Sequence, residues 1–394
     1  MCDVIAQING ASRRSFLGAA GLASGATLVA ALGASAASAS TAPEPASNAA
    51  AQHFRTRLAL LGTAAGRTFW GGSERQGISS AVVVGDAVYL VDCGDGWARR
   101  YLQAGLGERT EFHGLEQLEG VFVTHMHSDH LIDYPSLLIF GSTDGLAARQ
   151  NPVEVIGPGS RGKLVPLSEN AKSTPPVINP ENPTPGIADM TEYLYQAYAS
   201  DLNDNMRDSL KPDPHTLIHV NEITLPSGLV VDPDVDPAPP MEPFVVFEDD
   251  NVRVSATLVK HPPVFPAFGY RFDTADGSVV FSGDTAFSDN LIRLAQGADI
   301  LVHEVIDPQW VESLFPSPPA PAQQAKIHHL INSHTSIEEV GDVAERAGVK
   351  TLVLSHLAPA DNPKSRWAEA GRRFSGKLVV GEDLMQLGVG SRKR

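Results

Sequence analysis

The chain has 394 residues, of which 42% are hydrophobic, enough to build one large domain or two ordinary ones. The formal net charge is −16 at pH 7, and this acidic balance argues against a surface that grips nucleic acid. Cys2 lies in a segment that we expect to be removed. The remaining cysteine, Cys93, can form neither an internal disulfide nor a thiolate zinc site.

The N-terminal segment has the features of an export signal. Arg13 and Arg14 precede a mildly apolar stretch rich in alanine and glycine, and Ala37-Ser38-Ala39 fits a small-residue cleavage site. A membrane anchor is the alternative, but the stretch contains too little Leu, Ile and Phe to span a bilayer well. We predict a twin-arginine signal peptide over residues 1–39 and a disordered linker over residues 40–53. The protein would then use the export machinery, have no stable membrane anchor, and be periplasmic or secreted.

The globular part is predicted to begin near residue 54. Residues 57–61 form a strand pattern that ends in a glycine-rich turn, which we interpret as a tight turn because it matches no phosphate-binding pattern. Residues 80–84 and 87–91 form a hairpin pattern around Gly85-Asp86. A helix is predicted to follow over residues 97–104.

Four side chains of metal-ligand type occur within six positions after the apolar run of residues 118–123. They are His125, His127, Asp129 and His130. The run predicts a buried strand, and residues 131–140 predict a helix, so the cluster lies in the turn between them. Imidazole and carboxylate groups are common ligands of zinc and similar divalent ions. A polar turn that happens to be rich in histidine is the alternative, but four ligands at these spacings favour a metal site.

The regular pattern resumes at residues 153–157 and then fails over residues 167–243, which are rich in Pro, Asn and Asp. One helical pattern, residues 190–205, interrupts this segment. We predict an irregular insertion that packs over the edge of the active site. His215 and His219 lie within it and are predicted to be surface or lid residues, because neither belongs to a constellation of ligands.

The C-terminal part alternates strands and helices. Strand patterns cover residues 252–259, 268–272, 278–282, 299–302 and 351–354, and helix patterns cover 336–347 and 364–374. Further histidines and acids stand at or near the ends of these strands: His261, Asp284, His303, Glu304 and His356. Thr335 and Glu338 are spaced as a capping box at the start of the first helix.

The cluster His125-x-His127-x-Asp129-His130 resembles the signature of the metallo-β-lactamase superfamily. The block around Asp92 is similar to the start of ribonuclease Z and of related arylsulfatases, and the block from His261 to Asp284 is similar to that of ribonuclease Z. This resemblance implies a four-layer αββα sandwich with the metals at one edge where two sheets meet. The hydrolase domain would span residues 54–394, with the Pro/Asp-rich segment as an insertion.

The resemblance also implies the roles of individual residues. His125, His127 and His261 would hold one metal, Asp129, His130 and His356 would hold the other, and Asp284 would bridge them. Two divalent ions, most simply zinc, would share a water and provide hydroxide as the nucleophile. Asp129, His303 and His334 would act in catalysis, while Asp92 and Glu304 would support the site without binding metal.

Three functions remain open at this stage. A hydrolase of small sulfate or phosphate esters is favoured, a lactone or β-lactam hydrolase is the alternative, and a non-catalytic binding protein is the third. A small-molecule ester is the expected substrate. Nucleic acid is expected to be an unlikely partner because the chain is acidic, the signal directs export, and only a short connection joins His261 to Asp284. The resemblance places a tRNA-gripping arm at this connection in bacterial ribonuclease Z.

Overall fold

The computed structural model describes residues 46–107, 113–168 and 171–392. Within these ranges, two sheets of seven strands each pack face to face. The first sheet contains β1 (Phe54–Gly62), β2 (Ser79–Val84), β3 (Ala87–Val91), β4 (Leu118–Phe122), β5 (Val153–Gly157), β6 (Ile218–Glu222) and β14 (Gln386–Arg392). The second contains β7 (Phe244–Glu248), β8 (Val252–Leu258), β9 (Phe268–Thr274), β10 (Ser278–Phe281), β11 (Ile300–Ile306), β12 (Thr351–Ala358) and β13 (Lys377–Val380).

The two sheets have matching topologies. The first has the order β14-β1-β2-β3-β4-β5-β6 and the second β13-β12-β11-β10-β9-β8-β7. In each sheet one part is antiparallel and the other parallel: β3 to β6 run parallel in the first, and β10 to β13 in the second. The carboxyl ends of these parallel strands face one edge of the sandwich, where loops can place functional side chains.

Helices cover the outer faces of both sheets. They are α1 (Ala46–Ala51), α2 (Trp97–Gln103), α3 (Tyr134–Phe140), α4 (Ile187–Ala197), α5 (Ala199–Arg207), α6 (Asp289–Leu294), α7 (Pro308–Ser313), α8 (Pro321–Asn332), α9 (Ile337–Ala347) and α10 (Lys364–Trp367). The described part of the chain contains no helix that is both long enough and apolar enough to cross a membrane.

The core between the sheets combines aliphatic side chains with a group of aromatic rings. The ring of Phe122 on β4 meets that of Phe272 on β9 edge to face, with centroids 4.9 Å apart. The hydroxyl of Tyr270, also on β9, donates to the carbonyl of Val123 at 2.7 Å. Separate apolar clusters lie under the helices on each outer face. The arrangement is therefore helix, sheet, sheet, helix, and the predicted αββα sandwich is confirmed.

The segment between residues 167 and 243 differs from the expectation of an irregular insertion over the site. Its helices α4 and α5 pack on the outer face of the first sheet, where the hydroxyls of Thr191 and Tyr134 lie 2.9 Å apart. Its strand β6 pairs with β5 and extends the sheet. His215 and His219 are exposed and pair with nearby acids, which agrees with the surface assignment.

Two boundary predictions also change. Residues 46–51, placed in the predicted linker, form α1, and the side chain of Asn48 bonds to the backbone of Leu384 and Gln386. The helix that we expected to begin with a Thr335–Glu338 capping box begins one residue later, with Ser336 and Glu339 in those roles. The predicted signal peptide and residues 40–45 of the linker lie outside the described residues, so their assignment stays a prediction.

Candidate metal centre

The structure brings all seven predicted ligands together at the carboxyl edge of the sandwich. His125, His127, Asp129 and His130 lie in the turn after β4, and a short 3-10 helix, Ser128–His130, forms the end of this turn. The second sheet contributes the other three, two from the segments after β8 and β10 and one from β12 itself: His261, Asp284 and His356. The ligand atoms form two groups that share Asp284, and the atoms of each group lie within 4.8 Å of one another.

The first group consists of His125, His127, His261 and Asp284. The distance from His261 Nε2 to His127 Nδ1 is 3.3 Å. Asp284 Oδ2 lies 3.8 Å from His125 Nε2 and 3.7 Å from His261 Nε2. These spacings are those of side chains that converge on a common point without bonding strongly to one another.

The second group consists of Asp129, His130, His356 and Asp284. Here the other carboxylate oxygen is used: Asp284 Oδ1 lies 3.3 Å from both His130 Nε2 and His356 Nε2. His356 Nε2 is also 3.4 Å from Asp129 Oδ2. Because each oxygen of Asp284 faces a different group, this carboxylate is placed to bridge two ions.

The donor atoms fit divalent metal. Among the described residues, His125 Nε2, His130 Nε2 and Asp284 Oδ1 are buried and have no hydrogen-bond partner, which is costly unless another group binds them. Burial lowers the pKa of His125, of His127 (to about 4) and of His261, so these imidazoles are neutral at pH 7. Neutral imidazole is the form that binds a metal ion.

Asp92 orients the histidine at the centre of the site. Its Oδ2 accepts a hydrogen bond from His130 Nδ1 at 2.8 Å, and its Oδ1 accepts the backbone N–H of Thr124 at 2.8 Å. This leaves His130 Nε2 directed at Asp284. Asp92 and His356 both have positive φ angles, 61° and 47°, which are unfavourable for residues with a Cβ. Such strain commonly occurs at functional sites.

Glu304 supports the opposite side of the site. Its Oε1 accepts hydrogen bonds from His334 Nδ1 at 3.0 Å and from the backbone N–H groups of Thr285 and Thr335. Burial acts to lower the pKa of His334, but the charge and hydrogen bond of Glu304 raise this pKa to about 9. His334 is therefore a cation at pH 7, held by a buried carboxylate.

The two predicted proton donors occupy different cavities. His334 lines the open mouth of the site, a cavity of about 130 Å³ shared with His127, Asp129 and His356. His303 lines a small interior cavity of about 30 Å³ behind the ligands, and its Nδ1 bonds to the carbonyl of Glu304. His303 therefore does not line the mouth cavity.

Sequence reasoning missed the part of the mouth formed by the loop between β1 and β2. The backbone N–H of Gly66 donates to Asp129 Oδ2 at 3.0 Å, and Arg67 lines the mouth beside it. His329, on α8, also lines this cavity. The glycine-rich turn was visible in the sequence, but its contact with a ligand 63 residues away is tertiary and has no local signal.

Comparison with known proteins gives consistent matches. The family models of the beta-lactamase superfamily domain and of the metallo-beta-lactamase superfamily match residues 213–357 and 74–138. Ribonuclease Z of Mycobacterium bovis is 30% identical over 324 residues, which cover 81% of this chain and 94% of that protein. The short form of human tRNase Z gives a TM-score of 0.52 at 18% identity, covering 85% of this chain and 100% of that one. Zn(2+)-bound PqqB from Methylobacterium extorquens gives a TM-score of 0.50 at 13% identity, covering 84% of this chain and 100% of that one.

The sandwich, the cluster of ligands and the family models define a hydrolase of the metallo-β-lactamase superfamily. The identity with the mycobacterial protein extends over almost all of its length, and the chain belongs to the ribonuclease Z family within that superfamily. The two solved structures are below 25% identical and show the fold alone.

One prediction is overturned by these findings. A small ester as substrate, with nucleic acid as an unlikely partner, conflicts with a family of ribonucleases matched over 94% of a member's length. The net charge of −16 was a poor guide, because it sums over the whole chain and weighs distant acids equally with the mouth. At the mouth itself, Arg67 and the protonated His334 provide local positive charge.

Proposed function

We propose that this protein hydrolyses phosphodiester bonds in RNA with the help of two divalent metal ions, most simply zinc. The observation that carries the proposal is the mouth cavity, which brings the ligand cluster together with Arg67 and His334. A scissile phosphodiester is anionic, and two cationic side chains beside the ligands complement its charge. The 30% sequence identity with ribonuclease Z, which extends over 81% of the chain, supports RNA as the substrate.

The seven ligands would divide as two histidine-rich sets. His125, His127 and His261 would hold one ion, and Asp129, His130 and His356 the other, with one oxygen of Asp284 for each. When bound, such a pair of ions lowers the pKa of water and stabilises charge on the phosphoryl oxygens. The chain needs no serine or cysteine nucleophile, and Cys93 is fully buried in the core.

His334 is assigned the transfer of a proton to the leaving oxygen. Its Nδ1 is bonded to Glu304, so Nε2 is the atom that remains to donate. The carboxylate keeps the ring protonated before attack, which a general acid requires. His303 is not assigned this step, because it lines the interior cavity and burial lowers its pKa to about 4, so its ring is neutral at pH 7.

Arg67 is assigned the binding of substrate phosphate. It lies in the wall of the mouth, next to Gly66, whose backbone N–H donates to Asp129. Guanidinium groups bind phosphate oxygens through paired N–H donors. The alternatives from the sequence, lactone or β-lactam hydrolysis and a non-catalytic role, gain no support from the relatives named above.

The test is cleavage of a 5′-labelled RNA that carries a structured precursor-tRNA acceptor stem and a 3′ extension. Purified protein with zinc or manganese added should release a shorter labelled fragment. Asp284→Ala should abolish both cleavage and stoichiometric metal binding. Asp250→Ala, at an exposed aspartate in the turn between β7 and β8, serves as the matched control and should retain both. Full metal content without any RNA cleavage would contradict the proposal.

We also propose that residues 1–39 export the protein, which is a separate claim from its chemistry. The support is Arg13-Arg14 ahead of an alanine-rich stretch. Replacing both arginines by lysine should retain the protein inside the cell, because the export receptor reads the arginine pair and not charge alone. Unchanged export of this double variant would refute the assignment.

A further inference from the structure

The loop between β1 and β2 carries an aromatic ring that the fold leaves outside its core. Phe69 is 91% exposed, and Ile132, in the turn after the ligand cluster, is 59% exposed. Both side chains line one cavity of about 330 Å³. Small-molecule sites in proteins span about 300–1,000 Å³, so this cavity is large enough for one planar ring system with its sugar.

This cavity adjoins the metal centre. Gly66, Arg67 and Asp129 line both the 330 Å³ cavity and the mouth that contains the ligands. A group held against Phe69 could therefore belong to the same molecule as a phosphate bound at the ligand cluster. Arg67 stands between the two spaces, where it can bind the phosphate that links them.

The loop that presents Phe69 is anchored on both sides of it. Before Phe69, the backbone N–H of Gly66 donates to Asp129 Oδ2 at 3.0 Å. The indole N–H of Trp70 donates to the carbonyl of Ala65 at 2.7 Å, and its ring packs against Trp310 with centroids 5.6 Å apart. Arg75 bonds to the carbonyl of Gly381 at 2.7 Å. Phe69 is thus exposed on an ordered backbone, and exposing a large apolar ring in this way suggests a binding role.

We propose that Phe69 and Ile132 form a stacking subsite for a nucleobase of the substrate next to the scissile phosphate. This inference rests on the proposed function and specifies its substrate contact. Aromatic rings stack on any base, and each stack contributes about 1–3 kcal/mol to binding of single-stranded nucleic acid. Arg67 complements the adjoining phosphate, so the subsite matches a nucleotide in both its apolar and its charged part.

The first experiment measures binding without requiring cleavage. The metal-loaded protein is titrated with adenosine 5′-monophosphate and with ribose 5-phosphate, which lacks the base. Phe69→Ala should weaken binding of the nucleotide about tenfold, within the range for one stacked base, and leave ribose 5-phosphate unchanged. Phe69→Trp should restore nucleotide binding. Phe140→Ala, at a phenylalanine that is 60% exposed and lines no part of this cavity, is the matched control and should have no effect.

The second experiment uses RNA in which one nucleotide flanking the cleavage site is abasic, on each side in turn. Phe69→Ala should lower kcat/KM about tenfold on intact RNA and have no effect when the stacked base is missing, because the two changes remove the same contact. Equal loss on intact and abasic RNA, or equal nucleotide binding by Phe69→Ala and wild type, would overturn the stacking subsite.

These outcomes separate the two proposals. Phe69-dependent binding of the nucleotide with no RNA cleavage would refute the proposed function and leave the subsite in place. RNA cleavage that is unchanged in Phe69→Ala would refute the subsite and leave the proposed function in place. A dimer that dissociates on Phe69→Ala and binds nucleotide as before would assign the ring to contact between two copies and overturn the inference.

Discussion

Two carboxylate–histidine pairs stand on opposite sides of the candidate metal centre. In each, a buried carboxylate accepts a hydrogen bond from an imidazole Nδ1: Asp92 from His130 at 2.8 Å, and Glu304 from His334 at 3.0 Å. Both carboxylates also accept backbone N–H groups, which hold them in place. The other imidazole nitrogen distinguishes the pairs: His130 Nε2 lies 3.3 Å from Asp284, whereas the His334 ring lines the open mouth.

The same pair of side chains can thus serve two purposes, and position selects between them. Asp92 fixes the tautomer and direction of a ligand, as carboxylates beside metal-bound histidines commonly do. Glu304 keeps His334, which is not among the seven predicted ligands, protonated at the mouth cavity. The comparison predicts that disrupting one pair changes metal affinity and that disrupting the other changes turnover.

Between these two pairs, the larger effect is expected from His334→Asn. Loss of a general acid lowers kcat by about 100- to 10,000-fold, while metal content should stay at the wild-type level. Single-turnover RNA cleavage and elemental analysis of the same preparation measure the two quantities. His215→Asn, at an exposed histidine, is the matched control. Because His334 also lies near Glu304 and His356 in a group able to hold an ion, loss of metal in parallel with activity would make it a ligand instead.

A smaller effect of a different kind is expected from Asp92→Asn. The amide still occupies the site but offers a weaker acceptor to His130, so metal affinity should fall about 10- to 100-fold. Competition with a chromogenic chelator measures this affinity, and excess metal should restore most of the activity. If excess metal restores no activity to a folded variant, the contrast between the two pairs does not hold.

The pH dependence should follow the Glu304–His334 pair. The folded pKa of His334, raised to about 9, lies above the ordinary value of 6.5. The protonated donor is therefore present below the folded pKa, and activity should fall about tenfold per pH unit once pH rises above it. Bound cations repel the imidazolium, so in the metal-loaded enzyme this alkaline limb should lie at or below pH 9. Profiles of kcat/KM from pH 5 to 10 measure it, and His334→Asn should lack the limb.

The raised pKa of His334 also predicts how the stability of the fold depends on pH. A group whose pKa is raised on folding stabilises the fold fully below its unfolded pKa of about 6.5, and this contribution is lost as pH rises through about 9. Metal-free protein should therefore lose stability between these values, and His334→Asn should lose less. Denaturant unfolding at pH 6 and pH 9.5 tests this. An equal loss in the variant would assign the effect to other groups.

The sequence revealed the parts of this site that local patterns encode. His125, His127, Asp129 and His130 are adjacent in the chain, and His261, Asp284 and His356 lie at or near strand ends, so strand patterns and the family resemblance located all seven. Contacts between distant segments gave no such signal. The bond from Gly66 to Asp129 and the different cavities of His303 and His334 depend on how the loops pack.

Other failures have equally physical reasons. Strand β6 (Ile218–Glu222) is short and mixes polar with apolar residues, so pairing with β5, including contacts of His219 and Asn221 with Glu154, decides its structure. Helix α1 has a sequence typical of a linker and is held through Asn48 by residues more than 330 positions away. Net charge misled the choice of substrate because binding depends on the field at the mouth.

The smallest predicted effect concerns how the Glu304–His334 pair is positioned. The N-cap of helix α9, Ser336, lies two residues after His334, and Glu339 Oε2 accepts hydrogen bonds from both the N–H and the hydroxyl of Ser336. Glu339→Ala removes this capping box and should lower the free energy of unfolding by about 1 kcal/mol. Glu338→Ala, which removes an exposed pairing with Arg366, is the matched control and should cost less.

Turnover is expected to change little in Glu339→Ala, because Glu304 bonds His334 and the backbone of Thr335 directly and fixes the ring without the helix cap. The variant should therefore have a lower melting temperature but a kcat within about twofold of wild type. A twofold change corresponds to a difference below about 0.5 kcal/mol in the activation barrier. A fall in kcat comparable to that of His334→Asn would show that the start of α9, and not the buried carboxylate, positions the proton donor.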